Sequence, residues 1–205
     1  VKSGTYQTII NGESVSSAVM HNPRLKISLL PSSPDLAGAE VELIEVLARE
    51  GRLKNALQAV QDRYDYILID CPPSLGLLTI NGMVAAQDGL LIPVQCEYLA
   101  LEGISQLVST IERVRQAVFP KLTIRGVILT MYDSRTNLAK DVVDEIRKHF
   151  PNEAMETVIP RSVRLAEAPS YGLPILSYHP SSPGAVAYDQ LARELLKKDG
   201  VKLAV

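Results

Sequence analysis

Tryptophan is missing from this 205-residue chain, and aromatic residues make up only 5% of it. Any core must therefore be aliphatic. The two cysteines, Cys71 and Cys96, lie far apart and form no CxxC pair. Two lone cysteines suit a reducing compartment better than a disulfide framework. His21, His149 and His179 show no metal-ligand spacing. No GxSxG elbow or Ser-His-Asp context is present. No apolar run approaches the roughly 18 residues a membrane-spanning helix needs, so no membrane association is expected. The first residues carry no basic stretch followed by an apolar one, the mark of a secretory leader. Neither sign of charge dominates: 21 Lys and Arg face 23 Asp and Glu, for a net −2. This argues against a uniformly basic nucleic-acid binder. The charge is uneven, however. From Arg113 to Arg164 there are ten basic and six acidic residues, a local +4 on a body that is otherwise −6. A basic face and a set of solvated helix faces both account for this.

Apolar runs and helical periodicity alternate through most of the chain. Residues 1–24 are polar and broken by Gly4, Asn11-Gly12 and Asn22-Pro23. Leu25–Leu30 reads as a short strand. A helix is expected from an Asp35 cap through Arg49, and another over Arg52–Arg63 beyond Gly51. Tyr66–Asp70 is a continuous apolar run stopped by Pro72-Pro73, the pattern of a strand buried on both faces. Further expectations are helices at Leu75–Ala86, Tyr98–Val118 and Thr136–Phe150. Strands are expected at Asp88–Val94, Ile124–Thr130 and Glu156–Ile159. A loop over Pro160–Pro174 then leads to a short apolar strand and a final helix, Gly184–Lys198. Such alternation predicts an α/β fold with a mainly parallel sheet and helices on both faces. Ligands in such sheets bind beyond the carboxyl ends of the strands, which points to Asp70, Gln95, Tyr132-Asp133 and Pro160-Arg161.

Asp70 is the strongest single candidate. A carboxylate at the exit of an apolar strand is the Walker B arrangement, which holds Mg²⁺ beside nucleotide phosphates. An aspartate that merely caps the next turn would give the same pattern. The surrounding Tyr64–Gly76 segment resembles the Walker B and switch II region of the ParA/Soj/MinD family of partitioning ATPases. Leu36–Leu43 (LAGAEVEL), Gln95–Gly103, Leu129–Leu138 and Ile159–Ser170 are similar to further segments of the ParA/Soj branch, in family order.

The resemblance implies a P-loop NTPase-like fold, with residues 1–205 forming a single ATPase domain. It implies ATP and Mg²⁺ as cofactors and a role in chromosome or plasmid partitioning. Asp70 would be the catalytic, Mg²⁺-associated carboxylate. Pro72, Pro73 and Gly76 would lie in switch II. Thr130, Met131 and Tyr132, with Pro160 and Arg161, would border the adenine. Arg135 and Arg164 would bind DNA without reading sequence, and arginine suits such phosphate contacts. ATP would close a homodimer on nucleoid DNA in the cytoplasm, and a ParB/Spo0J-like partner would trigger hydrolysis. The family also needs a loop of the type KGGxGK(S/T) to cradle phosphates. No such stretch occurs in this chain, which begins at Val1. An N-terminal βαβ unit is therefore expected to be missing, leaving the chain as given inactive toward ATP and less stable. Two alternatives remain at this level: a non-hydrolysing DNA- or partner-binding module, and a MinD-like membrane-associated ATPase. Glu97 and Glu102 could face a dimer partner or solvent.

Overall fold

A computed structural model describes residues 3–202, the Leu101 side chain excepted. The chain divides into two compact units. The first runs to Gly89 and takes in Ser109–Thr123; the second comprises Leu90–Val108 and the chain from Ile124 onward.

In the first unit a helical turn, Gln7–Asn11, ends at Gly12, whose φ of 71° lies in the left-handed region that favours glycine. Helix α1 (Val15–Ala18) leads into a hairpin of β1 (Met20–Asn22) and β2 (Ile27–Leu29), paired antiparallel with Met20 opposite Leu29. The strand predicted at Leu25–Leu30 is thus the second arm of a hairpin. Asn22 shapes its turn, because its Oδ1 accepts from the backbone N–H groups of Arg24 and Leu25 at 3.0 and 3.1 Å. Helix α2 (Leu36–Glu42) follows Pro31–Pro34 and tightens into a 3₁₀ turn over Leu43–Glu45. The helix expected to reach Arg49 ends there, with Val46 extended and Ala48 left-handed at φ 53°. The break sends Leu43 into the core and leaves Leu47 93% exposed.

Helices α3 (Arg52–Leu57) and α4 (Leu77–Ala85) complete the packing. The core of this unit gathers Ile9, Leu43 and Leu53, with Leu36, Ile69 and Leu77 against them. Asn81 is wholly buried on α4. Its Oδ1 accepts from the Leu53 N–H at 3.1 Å, and its Nδ2 donates to the carbonyls of Arg49 and Leu77 at 2.8 and 3.0 Å. One side chain therefore ties α4 to the start of α3. Such a residue is tolerated in an apolar interior because its groups are satisfied.

One expectation fails here. Tyr66–Asp70 forms no strand and joins no sheet among the described residues; Leu68 is 81% exposed, while Ile69 turns inward onto the Ile9 cluster. An apolar run supplies side chains suited to a buried strand, but the strand itself exists only where adjacent backbone completes its ladder.

The second unit is built on β3 (Leu90–Gln95), β4 (Ile124–Tyr132) and β5 (Ala154–Pro160), parallel and in that order. Helix α5 (Leu99–Ala117) follows β3 and contributes residues to both units; α6 (Asn137–His149) links β4 to β5. The Thr136 Oγ1 caps α6 by accepting from the Ala139 N–H at 3.3 Å. The stretch expected to be a loop contains α7 (Val163–Glu167) and a 3₁₀ turn, Ala168–Tyr171. The apolar residues expected to form a strand after Pro174 form α8 (Ile175–Tyr178) instead. Five residues between prolines are too few for periodicity to separate helix from strand. Helix α9 (Pro183–Lys198) begins at a Ser182 cap and packs Ala187 and Leu191 on Met155 and Ile159 of β5. Val158, of opposite parity on β5, borders Val143 of α6 across a groove. Helices therefore flank both faces of β5.

The β4–β5 ladder is irregular: Val127 pairs with Ala154 and Leu129 with Val158, so β5 carries two extra residues between those pairs. The carboxylate of Glu194 on α9 accepts the freed N–H groups of Glu156 and Thr157 at 2.7 and 3.0 Å. Arg147 on α6 donates to the Glu156 carbonyl at 3.2 Å. The bulge is thus satisfied from both flanking helices.

Candidate functional site

The parallel register brings the carboxyl ends of the three strands together. Gln95 lies opposite Thr130, and Tyr132 opposite Pro160. The edge continues past the ladder, with the Cys96 N–H donating to the Thr130 carbonyl and the Arg161 N–H to the Tyr132 carbonyl, both at 2.9 Å. Thr130, Met131, Tyr132, Pro160 and Arg161 are therefore neighbours along one rim, where such sheets bind ligands. Met131 departs from ordinary strand geometry, with φ at 56°. A non-glycine residue in this region is uncommon and is held there by its surroundings. Its side chain stands partly free at the rim.

Just beyond, Asp133 organises the turn into α6. Its Oδ1 accepts from the Arg135 N–H at 3.1 Å and from Arg135 Nε at 2.9 Å, and its Oδ2 accepts from Arg135 Nη2 at 2.7 Å. This is a bidentate fork-to-fork pair. The side-chain bonds from Arg135, then its backbone N–H, hold the Asp133 carboxyl well below the usual carboxylate range. The Arg135 side chain is 84% exposed.

Two other arginines of the second unit are also paired. Arg161 Nη2 donates to Glu97 Oε1. Arg164 Nη1 donates to Glu167 Oε2 at 2.8 Å, and that oxygen also accepts from the Tyr178 hydroxyl at 3.2 Å. Tyr178 in turn stacks on Tyr171, with ring centroids 4.9 Å apart. The Glu167 hydrogen bond raises the Arg164 pKa above its ordinary value. Glu97, left open between two surfaces by the sequence, is thus the ion-pair partner of Arg161. Glu167 drew no attention in the sequence; its i,i+3 spacing from Arg164 was the available signal.

Asp70, Pro72 and Pro73 belong to the first unit. Asp70 is exposed. The segment after it is fixed to α4, since the Thr79 Oγ1 donates to the carbonyls of Ser74 at 2.6 Å and Pro72 at 3.3 Å. A Cβ on Gly82 would collide with Cys71 Sγ, so the backbone carrying Asp70 lies close against that helix. Burial, and secondarily the Asp70 charge, pushes the Cys71 thiol pKa up. Gly76, before α4, faces the Glu40 carboxylate of α2 so closely that a side chain there would clash.

A family model described as an AAA domain matches residues 1–124. The chain is 48% identical over 198 residues to the chromosome partitioning protein ParA of Myxococcus xanthus, covering 96% of this chain and 69% of that one. It is 49% identical over 195 residues to the sporulation initiation inhibitor protein Soj of Bacillus subtilis, covering 95% and 77%. The chain belongs to the ParA/Soj family of partitioning ATPases. The fold agrees. A Mycobacterium smegmatis structure described as cobyrinic acid a,c-diamide synthase with bound ADP and magnesium superposes with a TM-score of 0.80 at 34% identity, covering 98% of this chain and 75% of that one. A Cyanothece McdA–ATP complex superposes at 0.83 with 20% identity, covering 100% and 78%, which speaks to the fold alone. The P-loop NTPase-like α/β architecture anticipated for a ParA/Soj chain is therefore the one observed.

For a ParA/Soj chain the question is whether these residues suit Mg²⁺ and a nucleotide. No cluster of three or more His, Cys, Asp or Glu side chains that could hold a metal occurs among the described residues. Mg²⁺ takes one or two carboxylates and draws its remaining oxygens from water and phosphate. The exposed Asp70 carboxylate fits such a role. The rim at Thr130–Tyr132 and Pro160-Arg161 offers the backbone groups and apolar surface a base would meet. No helix among the described residues is long and apolar enough to cross a membrane.

Proposed function

We propose that this protein is the nucleotide-switched ATPase of a chromosome or plasmid partitioning system, hydrolysing ATP to ADP and phosphate. The observation that carries this reading is identity of 48–49% over 95–96% of the chain to ParA and Soj proteins. Identity to the cobyrinic acid synthase is 34%, so the partitioning relatives are the nearer guide to function.

In this reading Asp70 holds Mg²⁺, and Pro72, Pro73 and Gly76 form the segment that responds to nucleotide. Mg²⁺ supplies charge neutralisation at the phosphates when bound. Thr130, Met131, Tyr132, Pro160 and Arg161 border the adenine. Residues 1–205 act as part of one ATPase domain, the ATP-bound protein is a homodimer, and a ParB-like protein is its partner. Arg135 and Arg164 attach the dimer to nucleoid DNA in the cytoplasm without sequence preference. Arginine forks suit phosphate oxygens, and contacts to the backbone alone give affinity without readout.

Steady-state ATP turnover of the whole natural protein, with and without DNA and a ParB-like partner, tests the reading. Turnover that depends on Mg²⁺ and rises with partner and DNA supports it. A protein that binds DNA equally with ATP, ADP or no nucleotide, and turns nothing over, is a binding module instead.

A further inference from the structure

Each arginine of the second unit that is assigned an anion or nucleotide role is already held by a carboxylate of the same unit. Asp133 grips Arg135 in a two-point fork, Glu167 holds Arg164, and Glu97 holds Arg161. A carboxylate presents two oxygens to a guanidinium much as a phosphate does. The same N–H groups cannot serve both at full strength.

Neither of the first two pairs is a buried structural bridge. The arginine side chains are 84% and 52% exposed, so an incoming phosphate can reach them. Both acids are held in place by other contacts. Asp133 accepts the Arg135 backbone N–H as well as its side chain, and Glu167 accepts the Tyr178 hydroxyl. The carboxylates would therefore stay put if the guanidinium left.

We infer that Asp133 and Glu167 are built-in competitors of DNA phosphate: binding exchanges the Arg135–Asp133 and Arg164–Glu167 pairs for Arg–phosphate contacts, and the two acids set how weakly the protein holds DNA. This rests on the DNA-binding reading of the two arginines. The chemistry has a consequence opposite to that of a supporting role. An acid that merely positions its arginine weakens binding when neutralised, whereas a competitor strengthens it. Exposed ion pairs are worth little, so each gain is modest, about two- to fivefold in Kd. A modest brake suits a protein that must release DNA.

The test is DNA affinity of the whole natural protein with ATP, on a duplex of arbitrary sequence at fixed salt. Asp133→Asn and Glu167→Gln keep the shape and one acceptor oxygen. Each is expected to tighten binding about two- to fivefold. Asp141→Asn on α6 removes the same charge from a residue that is a member of neither pair and is expected to do far less. In an Arg135→Ala background, Asp133→Asn should lose its effect, and Glu167→Gln should lose its effect in Arg164→Ala. Unchanged or weaker binding in both single variants overturns the inference and leaves the acids as positioning groups. A gain that persists without the arginine, or that Asp141→Asn matches, overturns it in favour of net charge. If Arg135→Ala and Arg164→Ala themselves leave binding intact, the DNA assignment has failed, a result separable from the other two.

Discussion

Cys71 and Gly82 are in mutual contact so close that position 82 has no room for a Cβ. The residue after the proposed Mg²⁺ ligand thus lies against the middle of α4, with Ile69 Cγ2 also 3.6 Å from where that Cβ would be. Gly82→Ala should therefore force the Cys71 side chain, and the segment that carries it, to shift. Glycine to alanine in an open helix stabilises; here overpacking is expected to destabilise by about 1–3 kcal/mol. The melting temperature should fall. A variant as stable as the parent would show that the contact yields freely.

Asn81→Ala is expected to destabilise the first unit by about 2–3 kcal/mol, because it leaves the buried Leu53 N–H without its acceptor. Denaturant unfolding of the two proteins measures this directly. Asn81→Asp should not rescue it, since the Arg49 and Leu77 carbonyls would then face a carboxylate in place of a donor.

Glu194 makes stability depend on acid. Burial raises its pKa, but a hydrogen bond from the Thr157 side chain, then those from the Glu156 and Thr157 N–H groups, and the Lys198 charge together outweigh it and leave the carboxyl below its ordinary value. A group depressed in the folded state binds its proton more readily when unfolded. Its contribution is therefore present above the unfolded pKa of about 4.3 and is lost as pH falls through the lower folded value. Glu194→Gln should show a shallower loss of stability between neutral pH and the region below about 4. An identical pH profile would count against the clamp.

Asp70→Ala in the whole protein should remove Mg²⁺-dependent ATP hydrolysis while leaving the fold intact, because Asp70 is exposed. Turnover is checked alongside the melting temperature. Retained turnover in a folded variant would move the metal ligand elsewhere.

Much of the second unit was legible in the sequence. Leu90–Gln95 and Ile124–Tyr132 are apolar runs, and Asn137–His149 has a Thr136 cap and a basic last turn. These are local signals and they gave the right element types in the right order. They also put Thr130–Tyr132 and Pro160-Arg161 at strand ends, which is where the rim lies. Local signals failed where structure depends on a distant partner. Tyr66–Asp70 has the composition of a strand but joins no sheet among the described residues. Ile175–Tyr178 is a helix, and four residues carry too little period to tell it from a strand.

The sequence by itself determined the family, the alternation of strands and helices, and the residue types available for Mg²⁺, base and phosphate. Those follow from chain order and composition, which need no folding to be read. Only the tertiary structure decided the pairings between residues far apart in the chain. Glu97 reaches Arg161 across 64 residues, and Glu194 reaches the β5 bulge across 38. Pairings at such separation depend on how strands and helices come together in space, and spacing along the chain cannot encode that.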